Sequence, residues 1–247
     1  LTTVQIADLS SSALASISSN ALSNLSTQLI AALTTQQIAT LNTADFKVLT
    51  TRQIAALETR DLAVLGSNNI EVLSTSQLKA LNSAQIASLA TANLVGLSTD
   101  LMAAMSSTQL RALTSSQVQA LSSTQLNNVE TGQVKNLSSA QVQVLTSSQL
   151  NALNSTALQA LETGDVKAIG TEVLQSLNSA ALNNLTSAQV DVLTSTQLKA
   201  LTTAQLNALS SSAVQALGVD GVNALSSSQM GALSSTQLNK LSTDQVQ

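Results

Sequence analysis

An apolar residue opens every block of eight. Set out in rows of eight from Leu1, the 247-residue chain fills thirty complete rows and a last row of seven, with no insertion or deletion. Leu opens 27 of the 31 rows, and Ile17, Met105, Val129 and Ile169 open the others. A period held over that length admits few folds, because it describes one small unit stacked on copies of itself. The stretch from Leu193 to Leu209 gives the unit twice, as LTSTQLKA and LTTAQLNA. The consensus is L-[ST]-[ST]-x-Q-[LIV]-x-A.

The octad reads as a helix start. Position two is Ser or Thr in 20 rows, with Asn42, Asn82, Asn154 and Asn178 supplying an equivalent acceptor, and position five is Gln in 17. A hydroxyl followed three residues later by Gln is a capping box: the hydroxyl accepts from the N3 amide, and the Gln reaches back to the N-cap amide. The apolar residues at positions one and six then fall at N′ and N4, the hydrophobic-staple pair. Position three is Ser or Thr in 30 rows, Val219 being the exception.

One continuous helix does not fit, since eight residues leave a drift of roughly 80° per row and the apolar stripe would wind around the axis. Strands do not fit a spacing of one, six and eight, although the Ser, Thr and Val content keeps a β-solenoid as the minority alternative. Charge placement favours helices. Ten of the 13 acids lie at positions two, four or five: Asp45, Glu58, Asp61, Asp100, Glu130, Glu162, Asp165, Glu172, Asp220 and Asp244. Seven of the nine bases lie at positions seven or eight: Lys47, Lys79, Arg111, Lys135, Lys167, Lys199 and Lys240. Acids early and bases late suit the helix dipole. Asp8, Glu71, Asp191, Arg52 and Arg60 are the exceptions. The expected fold is therefore all-α, a solenoid of one- to two-turn helices, one per octad.

Helices this short do not stand alone, so positions one, six and eight are expected to be buried against neighbouring octads. Val at position six recurs at Val118, Val142, Val166, Val190 and Val214, every 24 residues, which suggests about three octads per coil. Two octads per turn, as flat helical hairpins, is the rival. No linker interrupts the phase, so residues 1–247 read as a single domain of octads. The looser patches lie in rows one to four, where Ala13, Ala21 and Leu29 replace the Gln, then from Ala90 to Met105, and around Gly218 and Gly221.

Composition excludes several classes of function. The chain has no His and no Cys, one aromatic residue (Phe46), and only 9% charged residues against a usual quarter. Thiolate metal sites and disulfides are thereby removed. A net charge of −4 with scattered bases argues against nucleic acid. No apolar run is long enough to span a membrane.

The octad resembles the octapeptide L-[ST]-[ST]-x-Q-[LIV]-x-A repeat regions of large secreted or surface-associated bacterial proteins. Leu33 to Thr40 and Leu201 to Ala208 carry the likeness most clearly. The resemblance implies a spacer, stalk or filament segment at the cell surface or outside the cell. A fainter likeness to DNA-reading helical repeats fails for want of their longer period and of a basic surface.

No His is present to activate the abundant hydroxyls and no G-x-S-x-G elbow appears, so they read as caps and solvated surface. The acid pairs Glu58 with Asp61 and Glu162 with Asp165 could hold Ca²⁺, but they fit a cap-and-dipole role better. Sequons stand at Asn24, Asn136, Asn154 and Asn184. No catalytic, cofactor or metal site is expected, and the chain is not expected to be an enzyme. Neither the first row nor the last has a distinct polar cap, so Leu1, Ile6, Leu241 and Val246 are the candidate self-assembly residues. The expected partners are other copies, end to end, or flanking segments of a longer chain. A glycan-, mineral- or ice-binding surface of arrayed hydroxyls is the alternative.

Overall fold

The computed structural model describes residues 1–129 and 131–247, so Glu130, one of the early acids, lies outside the described residues. The chain forms two compact units, Leu1–Val129 and Glu130–Gln247. The described residues contain thirty α-helices, a closing 3-10 turn at Thr243–Gln245 and no strand. The all-α solenoid expected from the octad is the fold, and the β-solenoid alternative drops out.

The helices start where the caps place them. In row after row the helix runs from position three, and position two is an extended N-cap. Thr202, with φ −72° and ψ 158°, precedes the helix Thr203–Ala208. The Thr202 hydroxyl accepts from Gln205 N at 3.1 Å, and Thr202 N donates to Gln205 Oε1 at 2.8 Å. The same two bonds recur in the helices Thr35–Thr40, Ser107–Ala112 and Ser195–Ala200. Termination follows from the next start. Position one turns extended so that position two can cap the following helix, as at Leu41 and Leu209. The N–H of position one then closes the last turn on the carbonyl of position six, Leu209 N on Leu206 O at 3.2 Å. Row 28 departs from this pattern. Leu217 stays helical and Gly218 takes φ 65°, a left-handed conformation open to glycine. Its helix, Gly218–Ala224, has no side-chain cap.

Replacing Thr202 with Ala removes one such cap and should cost about 0.5–2 kcal/mol, measured as a shift in the denaturation midpoint. A variant that melts with the parent would remove the cap from the account.

In the first unit the helices pack three apart: Ser11–Ala15 against Thr35–Thr40, Thr51–Ala56 against Thr75–Ala80, and Ser83–Ser88 against Ser107–Ala112. In the second unit Ser139–Gln143 packs on Thr163–Ala168, and Ser187–Asp191 on Ser211–Ala216. Three octads separate stacked helices, as the Val spacing suggests. Among the described residues no helix packs on the second before it as flat hairpins would require.

Burial has a direction. Position six is buried from Ile6 in row one through Val222, whereas Met230 is half-buried and Leu238 and Val246 are exposed. Position one behaves in the opposite way. Leu1 is exposed, Leu9, Ile17 and Leu25 are half-buried, and position one is buried from Leu33 through Leu233, with Leu241 half-buried. Position six is therefore covered by the coil that follows, and position one by the coil before. Each Leu or Ile so covered contributes about 1.5–3 kcal/mol, which offsets the cost of nucleating a six-residue helix. Position eight corrects the sequence reading. Its residues are mostly half-buried, as Ala80, Ala112 and Ala200 are, and the third buried position is five.

Candidate functional site

The feature repeated most often across the coils is the side chain at position five. Its Oε1 closes the capping box, which leaves the Nε2 amide to donate elsewhere. Gln205 Nε2 donates to Leu174 O at 2.9 Å, Gln175 O at 3.1 Å and Leu177 O at 2.8 Å. Those carbonyls lie 28 to 31 residues earlier. They belong to the end of one short helix and the start of the link to the next, where a helix leaves carbonyls unsatisfied. Gln37, Gln53, Gln77, Gln109, Gln117 and Gln125 make the equivalent bonds in the first unit. Gln189, Gln197, Gln229 and Gln237 make them in the second. One side chain thus caps its own helix and the end of a helix in the coil before. The bridges run from the start of one helix to the end of the helix four octads earlier, next to the helix stacked three octads earlier.

The capping box predicts the Oε1 contact and is silent on the bridge. A signal for it is present in the sequence. Either Gln or Glu can close a capping box, yet no Glu occupies position five in any of the 31 rows. Gln in 17 rows against Glu in none marks the use made of its amide donor.

Substituted rows show the same requirement. Asn69 and Asn93, one methylene shorter, reach only the nearer carbonyl, Leu41 O at 3.1 Å and Leu65 O at 3.0 Å. Asp45, Asp61 and Asp165 have no donor and are met by a hydroxyl from 26 residues earlier. Ser19 donates to Asp45 Oδ1 at 3.0 Å, Thr35 to Asp61 Oδ1 at 3.0 Å, and Ser139 to Asp165 Oδ1 at 2.7 Å. Asp165 Oδ2 is buried without a partner. Burial pushes the Asp61 carboxyl above the usual carboxylate range. The Thr35 hydroxyl, the Glu58 N–H and the Arg60 charge oppose that shift.

The two exceptional acids at position seven also reach across coils. A Cβ at Gly96 would collide with the Glu71 carboxylate, and Asp191 Oδ1 lies beside Gly218. Asn151 takes the same route, its Oδ1 accepting from Asn178 N at 2.9 Å. An acid at position seven thus sits beside a later coil, and this contact accounts for its place at the wrong end of its own helix.

Of the expected acid pairs, Glu58 with Asp61 closes a capping box, whereas Glu162 makes no side-chain cap bond at the helix that holds Asp165. Glu58 N donates to Asp61 Oδ2 at 3.2 Å, and Arg60 Nε lies 2.8 Å from Glu58 Oε2. Among the described residues no three acids gather as a metal site would need. Of the sequons, Asn24 and Asn136 turn their amides back to Asn20 O and Gly132 O, and Asn154 caps Ala157 N. The position-two hydroxyls serve mostly as caps, and at position three Ser19, Thr35 and Ser139 donate across coils to Asp45, Asp61 and Asp165. Phe46 is a fully buried position-six residue.

Of the four candidate assembly residues, Leu1 is 68% exposed, Val246 is 65% exposed, Leu241 is half-buried and Ile6 is fully buried. Val4, 67% exposed, lies open in the same first row as Leu1. Gln5 closes its box with Thr2 N at 2.8 Å, and its Nε2 has no acceptor among the described residues. In the second unit a cleft of about 380 Å³ opens beside Val222, Leu225, Met230, Leu238, Leu241 and Val246.

An all-α solenoid of capped octads joined by position-five bridges defines a tandem-repeat protein. The chain belongs to the ALTTAQ repeat family, whose repeat matches residues 30–59, 54–91, 94–131, 126–163, 158–195 and 190–227. No curated protein matches it. Among solved structures it is similar to the leucine-rich repeat-containing protein LegL7 from Legionella pneumophila, at 16% identity and a TM-score of 0.23, covering 85% of this chain and 76% of that one. No membrane-spanning candidate is present, since no described helix is long and apolar enough.

Proposed function

We propose that this chain is a structural repeat segment of an extracellular or cell-surface filament, stalk or scaffold, and that its coils add end to end. The observation carrying this reading is the one-way burial of the octad. One edge offers Leu1 and the spare Nε2 of Gln5, the groups that interior rows place against an earlier coil. The other edge offers Met230, Leu238 and Val246, the position-six groups that interior rows place beneath a later coil, and they line a cleft. Such edges are complementary and dissimilar, so their contact is heterologous and need not close. Fibre-forming and spacer proteins need repetition rather than reactive groups, and the His-free, Cys-free composition agrees with a non-catalytic role.

Sedimentation velocity of the 247-residue chain over a wide concentration range, with negative-stain microscopy of the same samples, tests this. Concentration-dependent growth into thin unbranched polymers is expected. Leu238→Lys, which charges one edge, should hold the chain monomeric. A parent that stays monomeric at the highest concentrations would contradict end-to-end addition.

A further inference from the structure

We propose that Asp61 is a proton-operated latch between successive coils of the first unit. With a proton on its carboxyl it donates to the carbonyl of Leu33 and locks the joint, and without that proton the joint is loosened.

Neutral Asp has the shape and donor of Asn, and Asn69 and Asn93 each donate to the carbonyl 28 residues earlier. For Asp61 the residue 28 earlier is Leu33. Leu33 is fully buried, and no described residue donates to its carbonyl. Ionised Asp61 sets an acceptor where its neighbours in the repeat set a donor. The structure compensates locally. Thr35 turns its hydroxyl onto Oδ1 at 3.0 Å, Glu58 N meets Oδ2 at 3.2 Å, and Arg60 Nε stands 3.8 Å from Oδ1.

The compensation is incomplete, since Asp61 has no exposed surface and Arg60 is drawn to Glu58 at 2.8 Å, on the solvent side. The helices packed against Asp61, Thr35–Thr40 and Ser83–Ser88, have no ionisable side chain, so Glu58 and Arg60 are the charged groups that face it. On acidification one proton from solvent adds to a carboxylate oxygen. The other oxygen keeps the Glu58 N–H, the new O–H turns to Leu33 O, and the Thr35 hydroxyl is released.

Burial supports the direction. A carboxyl held above its ordinary value in the fold takes up its proton before the unfolded chain does. Stability is therefore gained as pH falls through the folded value toward the unfolded one, and it is lost on the alkaline side.

The test is thermal melting of the full chain and of Asp61→Asn from about pH 8 to about pH 5. The variant carries the donor permanently and should melt higher at the alkaline end by about 2–4 °C, with the gap closing as the pH falls. Thr35→Ala, which removes support from the ionised form, should widen the parent's pH dependence. Parent and variant melting together throughout, or a gap independent of pH, would overturn the proposal. So would a carboxyl carbon-13 titration of Asp61 with its midpoint at or below the usual carboxylate range, a measurement that needs no variant.

Discussion

Gln205→Glu is expected to cost about 3–5 kcal/mol at neutral pH, the scale of an unpaired buried charge. The change preserves shape and keeps the capping box, because a Glu oxygen accepts from Thr202 N as readily as Oε1 does. It also turns the Nε2 donor into an oxygen aimed at Leu174 O and Leu177 O, 2.9 and 2.8 Å away. Three acceptors then face one another with no hydrogen between them. The loss should shrink in acid, where a protonated Glu regains a donor. Chemical denaturation at two pH values checks both parts. A variant as stable as the parent would reduce position five to a helix cap and leave the coils held by apolar contact alone.

Leu206→Asp is expected to cost about 5 kcal/mol or more, since it combines loss of a buried Leu with an unpaired carboxylate in its place. Leu206 is fully buried at position six, and its carbonyl accepts from Gln237 Nε2 at 2.8 Å. The damage should extend beyond its own helix, because in a stacked array each coil is stabilised by its neighbours. Hydrogen exchange should show faster exchange spreading from the helix Thr203–Ala208 into Ser235–Leu238. The same change at Leu238, which is 42% exposed, should be far milder. Equal costs at the two sites would contradict the one-way burial of position six.

The helix starts were legible because their chemistry is local. A hydroxyl, two residues and a Gln lie within one turn, and the side chains settle the backbone between them. The acids at positions two to five carried the same message. The pitch of the coil was less legible, since it depends on how stacked helices meet, and the 24-residue Val rhythm was its only trace. Position eight looked like core because it is small and apolar, whereas its Ala residues line the half-open edge of each helix. Position five looked like a helix cap and no more, because a capping box uses only the oxygen of its amide. The preference for Gln over Glu was the available signal, and it points to the amide donor that Glu lacks. The candidate edge was partly legible. Leu1 and Val246 are open as their rows suggested, but Ile6 faces the following coil and is covered by it.

The most direct test is a cross-link. The chain has no Cys, so an introduced pair has no competitor. Ser19→Cys with Asp45→Cys joins side chains whose oxygens stand 3.0 Å apart across successive coils. Leu29→Cys with Asp45→Cys joins residues two octads apart and serves as the control. Oxidation of dilute protein should form the first bridge within single chains, with the helical spectrum retained, and should leave the control pair reduced. A bridge in the control pair and none between residues 19 and 45 would contradict the stacking of each octad on the third before it.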